Sequence, residues 1–211
     1  MPVKLLPVPY FIQPTAVTCQ STCLKMMSVY LEREIVLQST GAEAISIAQI
    51  WSEVNSGPGR PSAVLNAHAN FKWWLERRFS GLRFEYTTWS NEADAAKAIT
   101  QSIDLRMPVL ASVSHERVAG HIVLVVGYEG YQPRMSSIGF QLVVHDPYGR
   151  FDPLLDSQLY GGRRMTGALS LTSGGELGPG QQVRVPISAL GRRRSGDASA
   201  GTFFLLAPRR A

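Results

Sequence analysis

Cys19 is the residue on which chemistry could turn. A thiolate attacks a carbonyl carbon well, and a cysteine with a depressed pKa supplies one at neutral pH. Cys19 follows Pro14 and Thr18, where a helix should begin, and the Thr18 hydroxyl is suited to cap it. The first turn of a helix carries unpaired N–H groups and the positive end of the dipole, and both favour an anion. Gln13 stands six residues upstream. Its amide, folded back over the helix start, would aim at the same point as the Cys19 N–H, and two donors on one point make an oxyanion hole. His121 opens an apolar strand, and Asp146 ends the neighbouring strand of an expected hairpin. Asp146 is expected to accept from the imidazole Nδ1–H. Cys to attack, His to move the proton and Asp to orient the ring form the arrangement for nucleophilic acyl transfer.

The elements that must position these groups follow from periodicity. Thr22, Met26, Val29 and Tyr30 recur at helical spacing, as do Cys23, Met27 and Leu31. The helix after Cys19 should therefore run to about Glu34 and be mostly buried, with Cys23 in the core. Ile47, Ile50, Trp51 and Val54 mark a second helical face with Ser46 as its cap. Gly57-Pro58-Gly59-Arg60-Pro61 breaks the chain. Two more helices are expected at 62–79 and 91–103, the latter capped by Ser90. After Pro108 the period becomes extended, with strands at 109–113, 121–128 and 140–145. Shorter strands fit at 84–88, 183–185 and 203–206, and 3–12 reads as a short strand or extended arm. A hairpin connection is expected at 129–137, a turn at Asp146-Pro147-Tyr148-Gly149, a Gly-rich loop at 170–180 and a mobile polar loop at 191–201. Helices first and antiparallel strands after make an α+β pattern. Its length of 211 residues and 45% hydrophobic content suit a single domain over 1–211.

At this point the sequence resembles the C39-like peptidases, a branch of the papain-like cysteine proteases. Val8-Pro9-Tyr10-Phe11-Ile12-Gln13 is similar to the family's opening strand, which ends in the oxyanion Gln. Cys19 and the helix behind it match the nucleophile position. Gly120-His121 before Val123-Leu124-Val125-Val126-Gly127-Tyr128 matches the strand that delivers the base. Val144-His145-Asp146-Pro147-Tyr148-Gly149 matches the segment with the triad acid, and Tyr160-Gly161-Gly162 and 183–190 are similar to the tail of single-domain members. The resemblance implies a papain-like fold with N-terminal helices packed on a C-terminal antiparallel sheet. It implies amide-bond cleavage through Cys19, His121 and Asp146, with a thioester intermediate and Gln13 in the oxyanion hole. One residue departs from the pattern: Gln20 follows the nucleophile where the family has Gly. Gln20 would narrow the approach to Cys19, and it supports the alternative of an inactive homologue that only binds a peptide. Transpeptidation or other acyl transfer is a further alternative, since it shares the thioester.

Composition narrows the partners. Net charge is +5, and from Arg150 onward nine arginines face four acidic residues, so the whole excess lies in the C-terminal third. A solvated basic surface accounts for this, or attraction to an anionic partner such as a cell wall. No nucleic-acid motif accompanies the arginines, so nucleic acid is not expected as a partner. No metal-ligand spacing is present, and no cofactor or metal is expected. Cys19 and Cys23 lie one turn apart, poorly placed for a disulfide. The residues from Met1 to Pro7 are broken by prolines, so no Sec signal peptide is expected. No integral membrane segment is expected either. The chain should be made in the cytoplasm, and any export would use a signal-independent route. The expected substrate is a peptide, a protein or peptidoglycan, and the setting of a secreted antibacterial effector is compatible, with an immunity or carrier protein as a further partner.

Overall fold

The computed structural model describes residues 3–15, 17–115, 118–131, 139–147, 180–191 and 202–210, with the backbone alone over 113–115 and 118–120. The expected connection at 129–137, the turn at Tyr148-Gly149, most of the loop at 170–180, Tyr160-Gly161-Gly162 and the arginines at 163–164 and 192–194 lie partly or wholly outside these residues, as does nearly all of the polar loop at 191–201.

In chain order the elements are β1 (Val3–Leu5), α1 (Cys19–Leu31), α2 (Ile47–Ser56), α3 (His68–Arg78), β2 (Leu82–Trp89), α4 (Glu92–Asp104), β3 (Val109–His115), β4 (Val118–Glu129), β5 (Gln141–His145), β6 (Val183–Val185) and β7 (Phe203–Arg210). The fold is α+β. All strand pairs among the described residues are antiparallel, in the order β2-β7-β3-β4-β5-β6, and β1 pairs with the far end of β4. The core lies between this sheet and the helices, and Met26, Met27 and Tyr30 of α1 and Val123, Leu124 and Val126 of β4 belong to one buried cluster.

Helix α1 is buried along Gln20–Leu31, as its two apolar stripes require, and a π-turn over Glu32–Val36 ends it at Leu37, which is left-handed at φ 56°. Thr18 does not cap it. The Thr18 hydroxyl donates to Thr15 O at 3.0 Å and accepts from no N–H of the helix, so no side chain caps the first turn. Ser46 does cap α2, and Gln49 returns the bond to the Ser46 N–H. For α4 the cap is Asn91 rather than Ser90, because the Asn91 side chain reaches the Asp94 N–H at 2.8 Å. Helix α3 starts at His68, later than the apolar pattern suggests. The buried Asn70 side chain bonds both the N–H and the C=O of Ser62, so that stretch satisfies its backbone through a side chain instead of a helix turn. Strand β7 is longer than its apolar run because it pairs with the whole of β2, from Leu82↔Arg210 to Trp89↔Phe203.

Two close approaches fix the site's surroundings. A Cβ on Gly127 would meet Lys4 O at 2.3 Å, so glycine lets β1 lie against β4. A Cβ on Gly180 would meet Asp146 O at 1.9 Å. The glycine lets the chains approach so that the Asp146 N–H donates to Gly180 O at 2.8 Å, while the Tyr10 hydroxyl donates to Asp146 O at 3.0 Å.

Candidate active site

Cys19 is the first residue of α1 and half-buried. His121 sits on β4 and is almost wholly buried, and Asp146 follows the last residue of β5. These strands are neighbours, so residues twenty-five apart in sequence meet: His121 Nε2 lies 2.8 Å from Asp146 Oδ1. A buried carboxylate accepts and does not donate, so Nε2 carries the proton and gives it to Asp146. The sequence reading had the other nitrogen. Strand and register are legible from the pattern, but the rotation of a ring about its own bonds is not. With Nε2 engaged, Nδ1 is left for the thiol, and the Cys19 side chain is hydrogen-bonded to His121.

The electrostatics follow from this contact. Burial alone would push the Cys19 thiol up; the His121 hydrogen bond and charge outweigh it, helped by the N–H groups of Ile122 and Gln20, and the net shift is down. Burial alone would lower His121, but the Asp146 charge and hydrogen bond, with Cys19, raise it to about 10. Both shifts favour the thiolate and imidazolium form of the pair over the neutral one. Cys23 differs from its neighbour. Burial, then the charges of Cys19 and Asp146, raise its pKa well above that of an ordinary thiol, and its Sγ donates to Ile122 O at 3.4 Å. It is a core residue, as its spacing suggests.

Gln13 reaches the site through the arm before α1. Its N–H donates to Pro147 O at 2.9 Å, beside Asp146. The side chain is buried, its Nε2 donates to Thr15 O at 2.6 Å, and its Oε1 has no partner among the described residues. Gln20 turns inward rather than across the cleft: it is 1% exposed, and its Oε1 accepts from the Cys19 thiol at 3.5 Å. Asn66 completes this side, with Oδ1 2.5 Å from Gln20 Nε2. Sequence reasoning missed Asn66, whose only signal was an Asn in the turn-rich stretch before α3. His145 is buried as well. Its Nε2 meets Val8 O at 3.0 Å, and its Nδ1 accepts from Gln182 N at 3.1 Å, so it ties the arm to β6 and does not face substrate. Among the described residues no group of His, Cys, Asp and Glu could hold a metal, and no helix is long and apolar enough to cross a membrane.

The model of the Peptidase_C39 like family matches residues 5–157, and the chain belongs to that family. The match holds Gln13, Cys19, His121 and Asp146 and stops before β6. Among solved structures, that of UfSP from C. elegans is similar, with a TM-score of 0.55 and 9% identity. The similarity covers 100% of this chain and 34% of that one, so the chain spans about a third of its neighbour's length, and at this identity the likeness is one of fold. No curated protein matches in sequence. The fold is papain-like, and family and fold together support a function of the cysteine-peptidase type.

Proposed function

We propose that this protein hydrolyses amide bonds in a peptide, a protein or the peptide of a cell wall, with Cys19 as nucleophile. The observation that carries the reading is the hydrogen-bonded line from Asp146 through His121 to Cys19, at a helix start that no side chain caps. The Cys19 thiolate adds to the carbonyl carbon. The N–H of Cys19 and the second amide N–H of Gln13 hold the oxyanion. Imidazolium Nδ1–H gives its proton to the leaving amine as the C–N bond breaks, which leaves a thioester on Cys19. Water then attacks the thioester, His121 takes its proton, and the acid is released. Asp146 holds the ring throughout by accepting from Nε2–H. The wall as substrate draws support from the arginine excess after Arg150, which an anionic polymer would attract. In that setting the protein would act outside the cell that makes it, as an antibacterial effector.

The test is mass spectrometry of products after incubating wild type and Cys19→Ala with purified peptidoglycan and, separately, with denatured protein. Cuts made by wild type alone are expected in one of the two. Their absence from both favours the second reading, a peptide-binding homologue without turnover. That reading has its own support in Gln20, whose Oε1 lies 3.5 Å from Cys19 Sγ and offers the thiol proton an acceptor that competes with His121.

A further inference from the structure

The Cys19 thiol has one proton and two acceptors within reach, His121 and Gln20 Oε1. Given to His121, the proton leaves a thiolate beside an imidazolium. Held toward Gln20, it leaves an uncharged thiol. The Gln20 amide is in turn fixed, because its Nε2 donates to Asn66 Oδ1 at 2.5 Å. Asn66 is exposed and left-handed at φ 57°, and its own N–H donates to Asn55 Oδ1 at 2.6 Å. Asn55, in α2, donates through Nδ2 to Trp51 O at 3.1 Å. A run of amides thus leads from the nucleophile to the surface.

A primary amide turned by a half-rotation about its last torsion exchanges donor and acceptor in nearly the same volume. In the arrangement observed, the thiol donates to Gln20 Oε1 and Gln20 Nε2 donates to Asn66 Oδ1. If both amides turn, Asn66 Nδ2 donates to Gln20 Oε1, and Gln20 Nε2 donates to the sulfur. The second arrangement suits a thiolate and the first suits a thiol. If only one amide turns, two oxygens or two N–H groups face each other between the side chains. The pair therefore has two good states, and the charge on sulfur selects between them.

We propose that the Gln20 and Asn66 amides form a coupled two-state relay that holds Cys19 as a thiol in one state and as a thiolate in the other. Gln20 is then a positioning residue for the nucleophile, acting through its contact with Sγ. The proposal rests on the reading of Cys19 as nucleophile. The step conserves its proton: it leaves Sγ, arrives at His121 Nδ1, and the Nε2–H bond to Asp146 persists. The other titratable groups facing the sulfur are His121 from β4 with Asp146 behind it, and Cys23 one turn along α1.

The experiment is the pH dependence of Cys19 alkylation by iodoacetamide on the full chain, read by peptide mass spectrometry so that buried Cys23 is scored apart. Asn66→Asp offers acceptors only, which fixes Gln20 with Oε1 toward sulfur. The alkylation midpoint should rise by about one pH unit, a roughly tenfold slower reaction at pH 6. The added charge of the Asp also acts directly on Cys19, so the same change is made in a Gln20→Leu background, where only that direct effect remains. A smaller shift in the Leu background supports the relay, and equal shifts in both backgrounds overturn it. Asn66→Gly suits the left-handed backbone and frees Gln20 to turn. Its alkylation at pH 6 should not fall, and a fall like that of the Asp variant overturns the relay by showing that the anchor matters and its polarity does not. An ordinary thiol midpoint for wild-type Cys19 would instead remove the nucleophile reading, which is a separate outcome from the comparison of backgrounds.

Discussion

The start of α1 and the body of the same helix solve the burial of polar groups in opposite ways. Farther along, Lys25 Nζ donates to the carbonyls of Ala42, Glu43 and Ile45 at 2.6, 2.7 and 2.8 Å. Glu32, at the helix end, accepts from the N–H and hydroxyl of Thr40, both at 2.6 Å, and from the Ala42 N–H at 2.9 Å. Every bond these two side chains need is made, and together they fix the loop after the helix. At the helix start the Thr18 hydroxyl turns away, Gln13 Oε1 has no partner among the described residues, and one thiol proton has two acceptors. A saturated polar cluster is a frame, since any change in it leaves a buried group unpaired. An unsaturated cluster costs stability and keeps its bonds free for something that arrives later. The difference separates charged residues that hold this fold from those available for chemistry, and types alone do not make that separation.

The largest effect expected on this contrast is at Asp146. Asp146→Asn removes the acceptor that keeps Nε2 protonated, and cleavage should fall by about a thousandfold, while the thermal midpoint moves little. Equal loss of both, measured on one preparation, would make the triad end a frame too. Lys25→Met should do the reverse. It leaves three carbonyls without their donor, two of them buried, and a cost of about 3 kcal/mol in urea unfolding is expected, with Cys19 alkylation unchanged. Slower alkylation would show that the two ends are coupled through the helix.

Acid should loosen the frame next to the site. Burial holds His145 down at about 4, below its ordinary 6.5, with the Val8 and Val144 backbone opposing. The unfolded chain takes up a proton that the folded chain refuses, so stability is complete above about 6.5 and falls as pH drops toward 4. Uptake of about one extra proton on unfolding in that window checks this, and a flat stability profile between pH 6.5 and 4 would contradict it. The smallest effect is at Glu32. Burial would raise its pKa, but the Thr40 and Ala42 bonds outweigh it and the net shift is down. Its contribution is therefore whole above its ordinary value and lost as pH falls through the lower folded value. Glu32→Gln should cost about 1 kcal/mol at pH 7 in urea unfolding, and the gap from wild type should close at pH 3.

Much of this arrangement is legible in the sequence, because apolar spacing and residue type act locally. The burial of α1, the strand with His121, the strand ending at Asp146 and the cap at Ser46 all follow from such signals. What was not legible depends on partners far away or on torsions. Thr18 has the type of a cap, yet it bonds Thr15. Asn91 and Ser90 are both competent caps, and only the path of the chain decides between them. The ring nitrogen that meets Asp146 is set by the side-chain rotation of His121. Asn66 joins the site because α2 and α3 bring it there, and nothing near it in sequence signals that contact.

Strand β7 lies between β2 and β3 and is the last of the described strands in chain order. Synthesis delivers Cys19, His121 and Asp146 well before it. Until β7 emerges, β3 has an open edge and β2 has none of the partners it finds from Leu82↔Arg210 to Trp89↔Phe203. Pairings of such long sequence separation form late and slowly. A nascent chain therefore carries Cys19 beside a sheet that is not yet closed, and the arrival of β7 sets the moment at which the sheet around the site is complete.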